Sequence, residues 1–266
     1  MSPSYKKDDN LKKNNFRPIS VLTGISKLYE SVVNDQLLEF FNKLFNDLIS
    51  AYRKGYSCQS LLLKCIDSWK VALDRKQHVG LLFMDLSKAF DCLPHGLMIA
   101  KLKAYGLSTP ACELVFSYLN DRKQRVKIST SRSSWSTLSK GVPQGSILGP
   151  LLFNIFMNDL FLFIEKCNLY NYADDNSLDT TSENLSEVLF NLKNDGRNAI
   201  DWFSRNGMQA NPEKFHFMAL SPTSVGTQVL ELSDGITLSS EAVVTVLGVT
   251  IDDQSSYIAN ISAHVA

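Results

Sequence analysis

Leu169-Tyr170-Asn171-Tyr172-Ala173-Asp174-Asp175-Asn176 sets two adjacent carboxylates on a tight turn between two apolar, aromatic runs. A turn of this kind holds acidic side chains at a strand end, where hard divalent cations find the oxygen ligands they require. A third carboxylate has a matching setting. Asp85 closes the apolar run Val79-Gly80-Leu81-Leu82-Phe83-Met84 and opens Asp85-Leu86-Ser87-Lys88-Ala89-Phe90-Asp91. Two strand ends are thereby predicted to converge on one pair of metal ions.

Working outward, apolar residues from Ile25 to Leu48 recur at helical spacing, bracketed by Gly24 and Ser50, and a second amphipathic pattern covers Gln59 to Leu73. After the Asp85 strand, Pro94 suits the first turn of a helix that Gly106 stops, and a further helix is predicted from Pro110 to Leu119. Arg125–Ser129 and Ser134–Leu138 alternate as a hairpin. The Pro- and Gly-punctuated loop from Gly141 to Pro150 leads into an apolar helix, Leu151–Ile164. An amphipathic helix from Leu185 ends near Asn206-Gly207, a strand covers Lys214–Leu220, and a late strand pair lies between Val243 and Ile251. Strand, helices, paired strands, helix, strand is the split βαβ order of a ferredoxin-like antiparallel sheet, so the expected class is α+β with helices on one face of the sheet.

With 266 residues, 44% of them hydrophobic, the chain can bury a large core in one domain or in two lobes. Formal charge sums to zero, yet it is uneven: Lys6, Lys7, Lys12, Lys13, Arg17 and Lys27 form a basic start, Arg122 to Arg132 a second basic stretch, and Asp174 to Asp201 is acidic. The five cysteines lack the paired spacing of a zinc site or disulfide scaffold and read as reduced thiols, which points to an intracellular compartment, nucleus or cytoplasm. Cys92 and His95 have no second metal-binding pair beside them and read as structural. The amino terminus carries no signal-peptide core, and Asn154, Asn158 and Asp159 break the most apolar span, so no membrane segment is expected.

Asn15-Phe16-Arg17-Pro18-Ile19-Ser20, Met84 to Asp91, Gly141-Val142-Pro143-Gln144-Gly145-Ser146 and Tyr172-Ala173-Asp174-Asp175 resemble, in order, the sequence blocks of reverse transcriptases. The wording is most similar to the non-LTR, LINE-type retrotransposon branch, and Trp202, Gly207, Asn211-Pro212-Glu213-Lys214 and Leu247-Gly248-Val249 look like its later blocks. The ordered set carries the resemblance, because Tyr-x-Asp-Asp alone is also an ordinary turn composition.

The resemblance implies the fingers and palm of a right-hand polymerase, with fingers over about 1–78 and 106–145 and palm over about 79–105 and 146–252. It implies an RNA-directed DNA polymerase that joins deoxynucleotides to a primer 3′ hydroxyl on an RNA template by in-line phosphoryl transfer. Two Mg²⁺ ions, replaceable by Mn²⁺, would lie about 3.5–4 Å apart. Asp85 and Asp174 are the expected bridging ligands, with Asp175 and the Leu86 carbonyl beside them. Phe90 would exclude a ribose 2′ hydroxyl, Arg17 and Lys7 would grip the triphosphate, and Gln144 and Gly145 would contact the nucleotide. Lys214 would donate a proton to pyrophosphate. Lys88 and Asp91 are expected in salt bridges, and the Arg122–Arg132 hairpin along template phosphates.

Such proteins continue into a helical thumb and carry an endonuclease in the same polyprotein. This sequence, ending at Ala266, reads as lacking both. The competing expectation is a catalytically silent, truncated retrotransposon remnant that at most binds nucleic acid or a partner protein.

Overall fold

The four strands that matter most are β1 (His78–Met84), β2 (Asn168–Tyr172), β3 (Asp175–Ser182) and β4 (His216–Leu220). They form one antiparallel sheet in the order β4-β1-β3-β2. That is the split βαβ order expected from the sequence, and the fold is mixed α and β with antiparallel sheets. The computed structural model describes residues 1–5, 11–12, 15–233 and 235–253. Within it the chain divides into two compact units, one of residues 1–45, 88–157 and 206–208, the other of residues 46–87, 158–205 and 209–266.

The sheet belongs to the second unit, and helices cover both of its faces, not one. Leu62, Cys65 and Trp69 of the Cys58–Asp74 helix share a core with Val79, Leu81 and Phe83 of β1. On the other face a Cβ added to Gly80 would lie 2.5 Å from Val188 and 2.6 Å from Leu192, both on the Leu185–Arg205 helix. Residues 79–84 are buried without a break, as the unbroken apolar run requires. A strand covered on one face only would alternate. Ser57 caps the Cys58–Asp74 helix reciprocally: its Oγ accepts the Ser60 N–H at 3.1 Å, and Ser60 Oγ accepts the Ser57 N–H at 3.0 Å.

The free edge of β2 recruits a segment that the sequence pattern assigns to a helix. The first long helix, Gly24–Phe41, stops before Leu48. Leu48 to Ser50 then bridge β2 in parallel, with Asn171 N–H donating to the Leu48 carbonyl at 3.1 Å and Ser50 N–H to the Asn171 carbonyl at 3.0 Å. Unpaired backbone groups on an edge strand outweigh helical periodicity in a region interrupted by Asn42 and Asn46. Residues 158–163 continue the expected Leu151–Ile164 helix only as a 3₁₀ turn, with Asn158 Oδ1 taking the Asn46 N–H at 2.9 Å.

In the first unit the helices are Gly24–Phe41, the short Ala89–Cys92, His95–Ala104, Thr109–Leu119 and Leu148–Met157. Glu30 is fully buried. Its Oε2 accepts the N–H groups of Ile147 at 2.7 Å and Leu148 at 3.3 Å, capping the Leu148–Met157 helix from a distant part of the chain. The basic start includes a two-stranded ribbon, Ser2–Tyr5 with Phe16–Ile19. The predicted hairpin exists but is cut into two short ladders, Lys123–Gln124 with Ser136–Thr137 and Lys127–Ile128 with Ser131–Arg132. All five cysteines are free thiols. No helix among the described residues is long and apolar enough to cross a membrane.

Candidate active site

Tyr172 and Asp175 pair across the β2–β3 turn, leaving Ala173 and Asp174 as a two-residue loop. Ala173 has φ +58°, a conformation that costs a residue with a side chain about 1 kcal/mol or more. Two buried asparagines hold the loop from beneath. Asn171 and Asn176 are directly opposite in the ladder, and Asn171 Nδ2 donates to Asn176 Oδ1 and to the Ala173 carbonyl, both at 2.9 Å. Asn176 Nδ2 donates to the Asp174 carbonyl at 3.1 Å. With its carbonyl engaged, Asp174 keeps a half-buried carboxylate at the tip, and Asp175 is exposed.

Asp85 follows β1 directly, and the residue before it, Met84, lies opposite Asn176, the residue after Asp175. The Asp85 carbonyl accepts the Asn211 N–H at 3.0 Å, and the Ser87 N–H reaches the Gln209 carbonyl at 2.8 Å. These bonds flank the Leu86–Ala210 bridge, so Leu86 directs its own carbonyl away from that neighbour. Lys214, in the 3₁₀ turn Pro212–Lys214, places Nζ 2.7 Å from Asp85 Oδ2. Asp85, Asp174 and Asp175 carry oxygens of the hard kind that Mg²⁺ takes. Among the described residues, however, no three His, Cys, Asp or Glu side chains are grouped so as to hold a metal ion, and Asp85 is ion-paired with Lys214, so the convergence expected from the sequence is not formed here.

The first unit gathers most of the nucleotide-binding candidates. Arg17 is exposed on the Phe16–Ile19 strand. The next residue after that strand, Ser20, donates its N–H to the Gln144 carbonyl at 2.8 Å. Gly145, at φ +94°, lies so close that a Cβ would sit 3.3 Å from the Ser20 carbonyl. Gln144 Nε2 donates to Asp91 Oδ1 at 3.0 Å. Asp91 therefore serves an amide, where a salt bridge was expected, because the chain turns at Lys88 (φ +50°) into a short helix and strand alternation ends. Phe90 stacks on the buried Phe153 at 4.4 Å between centroids. Lys7 lies outside the described residues, as does Lys6. A cavity of about 660 Å³ is lined by Arg122, Lys123, Arg125, Lys127, Arg132 and Trp135, among others.

Asn171, Asn176 and the Asp91–Gln144 link were missed from sequence. One signal was present: two asparagines placed symmetrically about Tyr172-Ala173-Asp174-Asp175. A buried carboxylate, Asp179, also escaped notice; Trp69 Nε1 donates to it at 2.6 Å and Asn168 Nδ2 at 2.8 Å.

Comparison with known proteins decides the family. The sequence profile described as "Reverse transcriptase (RNA-dependent DNA polymerase)" matches residues 5–251. The chain belongs to the reverse transcriptase family. It is 30% identical over 256 residues to the probable RNA-directed DNA polymerase from transposon BS of Drosophila melanogaster, a match covering 91% of this chain and 28% of that protein. It is 31% identical over 147 residues to the RNA-directed DNA polymerase from mobile element jockey of Drosophila funebris, covering 54% of this chain and 16% of the other. These transposon relatives agree with the LINE-type resemblance read from the motifs. Apo telomerase from Candida tropicalis, truncated from its C-terminal domain, shares the fold with a TM-score of 0.59 at 17% identity, over 84% of this chain and 43% of that one. This reverse transcriptase chain thus spans under a third of the length of both transposon relatives.

Proposed function

We propose that the chain is the fingers and palm of a LINE-type RNA-directed DNA polymerase that extends a DNA primer on an RNA template. The observation that supports this reading is the register of β1 against the β2–β3 hairpin, in which Met84, the residue before Asp85, pairs with Asn176, the residue after Asp175. Fingers over about 1–78 and 106–145 and palm over about 79–105 and 146–252 remain the proposed division, although the compact units cut the chain elsewhere.

Asp85, Asp174 and the Leu86 carbonyl would hold two divalent cations, with Asp175 in support. When bound, Mg²⁺ would acidify the primer hydroxyl and neutralise charge building on the phosphates. Arg17 and Lys7 bring cations to the triphosphate, where that charge accumulates. Gln144, steadied by Asp91, presents its amide to base or sugar, and Gly145 lets backbone come close. Phe90 blocks a ribose 2′ hydroxyl. Lys214 carries an ammonium proton for the departing pyrophosphate. The basic walls of the Arg122–Arg132 hairpin suit template phosphates. In the longer protein, a thumb and an endonuclease would accompany these parts.

The test is Mg²⁺-dependent extension of a DNA primer on an RNA template. The wild-type chain is expected to extend, and Asp174→Asn to lose at least about a hundredfold in rate, the scale of removing one preorganised electrostatic group. Equal, metal-independent behaviour of both proteins would point instead to a silent remnant that only binds nucleic acid or a partner.

A further inference from the structure

The geometry points to Asn171 and Asn176 as a positioning pair that fixes the Asp174 carboxylate for a divalent cation, an inference resting on the metal role proposed for Asp174. The two side chains lie opposite each other one rung below the turn, and are 0% and 1% exposed. Their amides capture both loop carbonyls and each other. Neither loop residue can rotate its peptide without breaking one of these bonds. Asn176 is shared further: its rung extends to Met84, the residue before Asp85, so one side-chain pair spans the strand ends that carry both proposed bridging carboxylates.

Stability alone does not account for the pair. Asn171 Oδ1 is buried and has no hydrogen-bond partner among the described residues. An orphaned buried acceptor is a liability, and replacing both members of a buried polar pair by apolar groups of similar shape is often neutral or favourable. Asn171 is also tied through its backbone to Leu48 and Ser50, so the anchor for the turn is itself held on both sides. Outer residues that orient a metal ligand act through that ligand, and removing one weakens metal affinity by about 10–100-fold.

The experiment is a Mn²⁺ titration of the whole chain followed by electron paramagnetic resonance, with wild type, Asp174→Asn, Asn171→Leu, Asn176→Leu and the double variant Asn171→Leu/Asn176→Leu, each also melted by circular dichroism. We expect Asp174→Asn to abolish the site. Each leucine variant should bind Mn²⁺ at least about tenfold more weakly, and the double variant, in which neither amide is left without its partner, should do so while melting within about 5 °C of wild type, a separation that a purely structural pair would not produce. Leucine variants that fold and bind Mn²⁺ like wild type would overturn the inference. Mn²⁺ binding untouched by Asp174→Asn would remove the metal role on which it rests. If the leucine variants do not fold, the wild-type side-chain amide resonances decide: slow exchange of both, with shifts on adding Mg²⁺, supports the pair, and resonances unmoved by Mg²⁺ overturn it. A chain that passes these tests yet extends no primer would count against the polymerase reading and leave the positioning pair standing.

Discussion

Lys214 Nζ lies 2.7 Å from Oδ2 of Asp85, a residue 129 positions earlier in the chain. The two side chains are 52% and 21% exposed, so solvent screens the pair and its net contribution to stability is about 0–1 kcal/mol. What the contact does hold is a cation against the carboxylate proposed as a metal ligand, and cation and metal compete for the same oxygen. Lys214→Gln is expected to leave the melting temperature nearly unchanged, to lower the half-saturating Mg²⁺ concentration, and to reduce kcat by about 10²–10⁴-fold if the ammonium supplies the proton. Mg²⁺ titrations of primer extension at saturating nucleotide read both quantities. A higher Mg²⁺ requirement would show that Lys214 assists metal binding instead.

Phe90 rests flat on Phe153, with ring planes 19° apart. Part of the side chain is therefore core, and the same stacking makes the ring rigid enough to act as a steric block. Phe90→Val is expected to raise ribonucleotide incorporation relative to deoxynucleotide while costing about 1–2 kcal/mol of stability through the lost stacking and area. Single-nucleotide extension with paired ribo- and deoxynucleotides measures the ratio. An unchanged ratio in a folded variant would assign Phe90 to the core alone.

Gly141 and Gly55 both have φ +86°, but their surroundings differ. A Cβ on Gly141 would meet the Asp91 backbone at 2.8 Å, whereas one on Gly55 would meet nothing within 4 Å. Backbone cannot yield as a flexible side chain can, and this backbone is locked by the Gly141 N–H to the Leu93 carbonyl at 2.7 Å and the Val142 N–H to the Phe90 carbonyl at 2.8 Å. Gly55→Ala should cost about 1 kcal/mol, the left-handed strain alone. Gly141→Ala should cost about 2–4 kcal/mol, because overpacking adds to that strain. It should also raise KM for nucleotide by displacing Gln144 from Asp91. Thermal melts of the two variants give the comparison, and equal melting temperatures would refute it.

The strand order, the hairpin and the positions of Asp85 and Asp174 were legible because each follows from local pattern: an unbroken apolar run, a two-residue turn, and alternation between helical and strand periods. What escaped were relationships set by partners far along the chain. Leu48 has helical spacing from its neighbours, yet the edge of β2 takes it. Glu30, a residue to which the apolar periodicity gives no role, is buried as the cap of a helix more than a hundred residues away. Asp91 looked like one member of a charge pair until the turn at Lys88 aimed it at Gln144. The helix on the second face of the sheet could have been inferred, since Val79 to Met84 has no polar position to give to solvent.

Asp179 sits on β3 opposite Leu81, beneath the Cys58–Asp74 helix, and is 1% exposed. Burial raises its pKa above the ordinary carboxylate value, only partly countered by hydrogen bonds from Asn168, Trp69 and Tyr170. The same burial, with Asp179 as a second cause, pushes the neighbouring Cys65 thiol up to about 12. For an acid whose folded pKa lies above its unfolded one, the native state holds more protons between the two values, so stability falls as pH rises through that window. The wild-type chain should accordingly lose part of its stability as pH climbs from about 4, the unfolded carboxylate range. Asp179→Asn cannot ionise, and its amide oxygen can still accept the Trp69 indole N–H. That variant should lack this component of the pH dependence and be at least as stable as wild type at pH 7. Urea unfolding at pH 4, 5.5 and 7 tests the difference: a wild-type-minus-variant stability that does not decline with pH would mean that Asp179 is ionised in the fold without penalty.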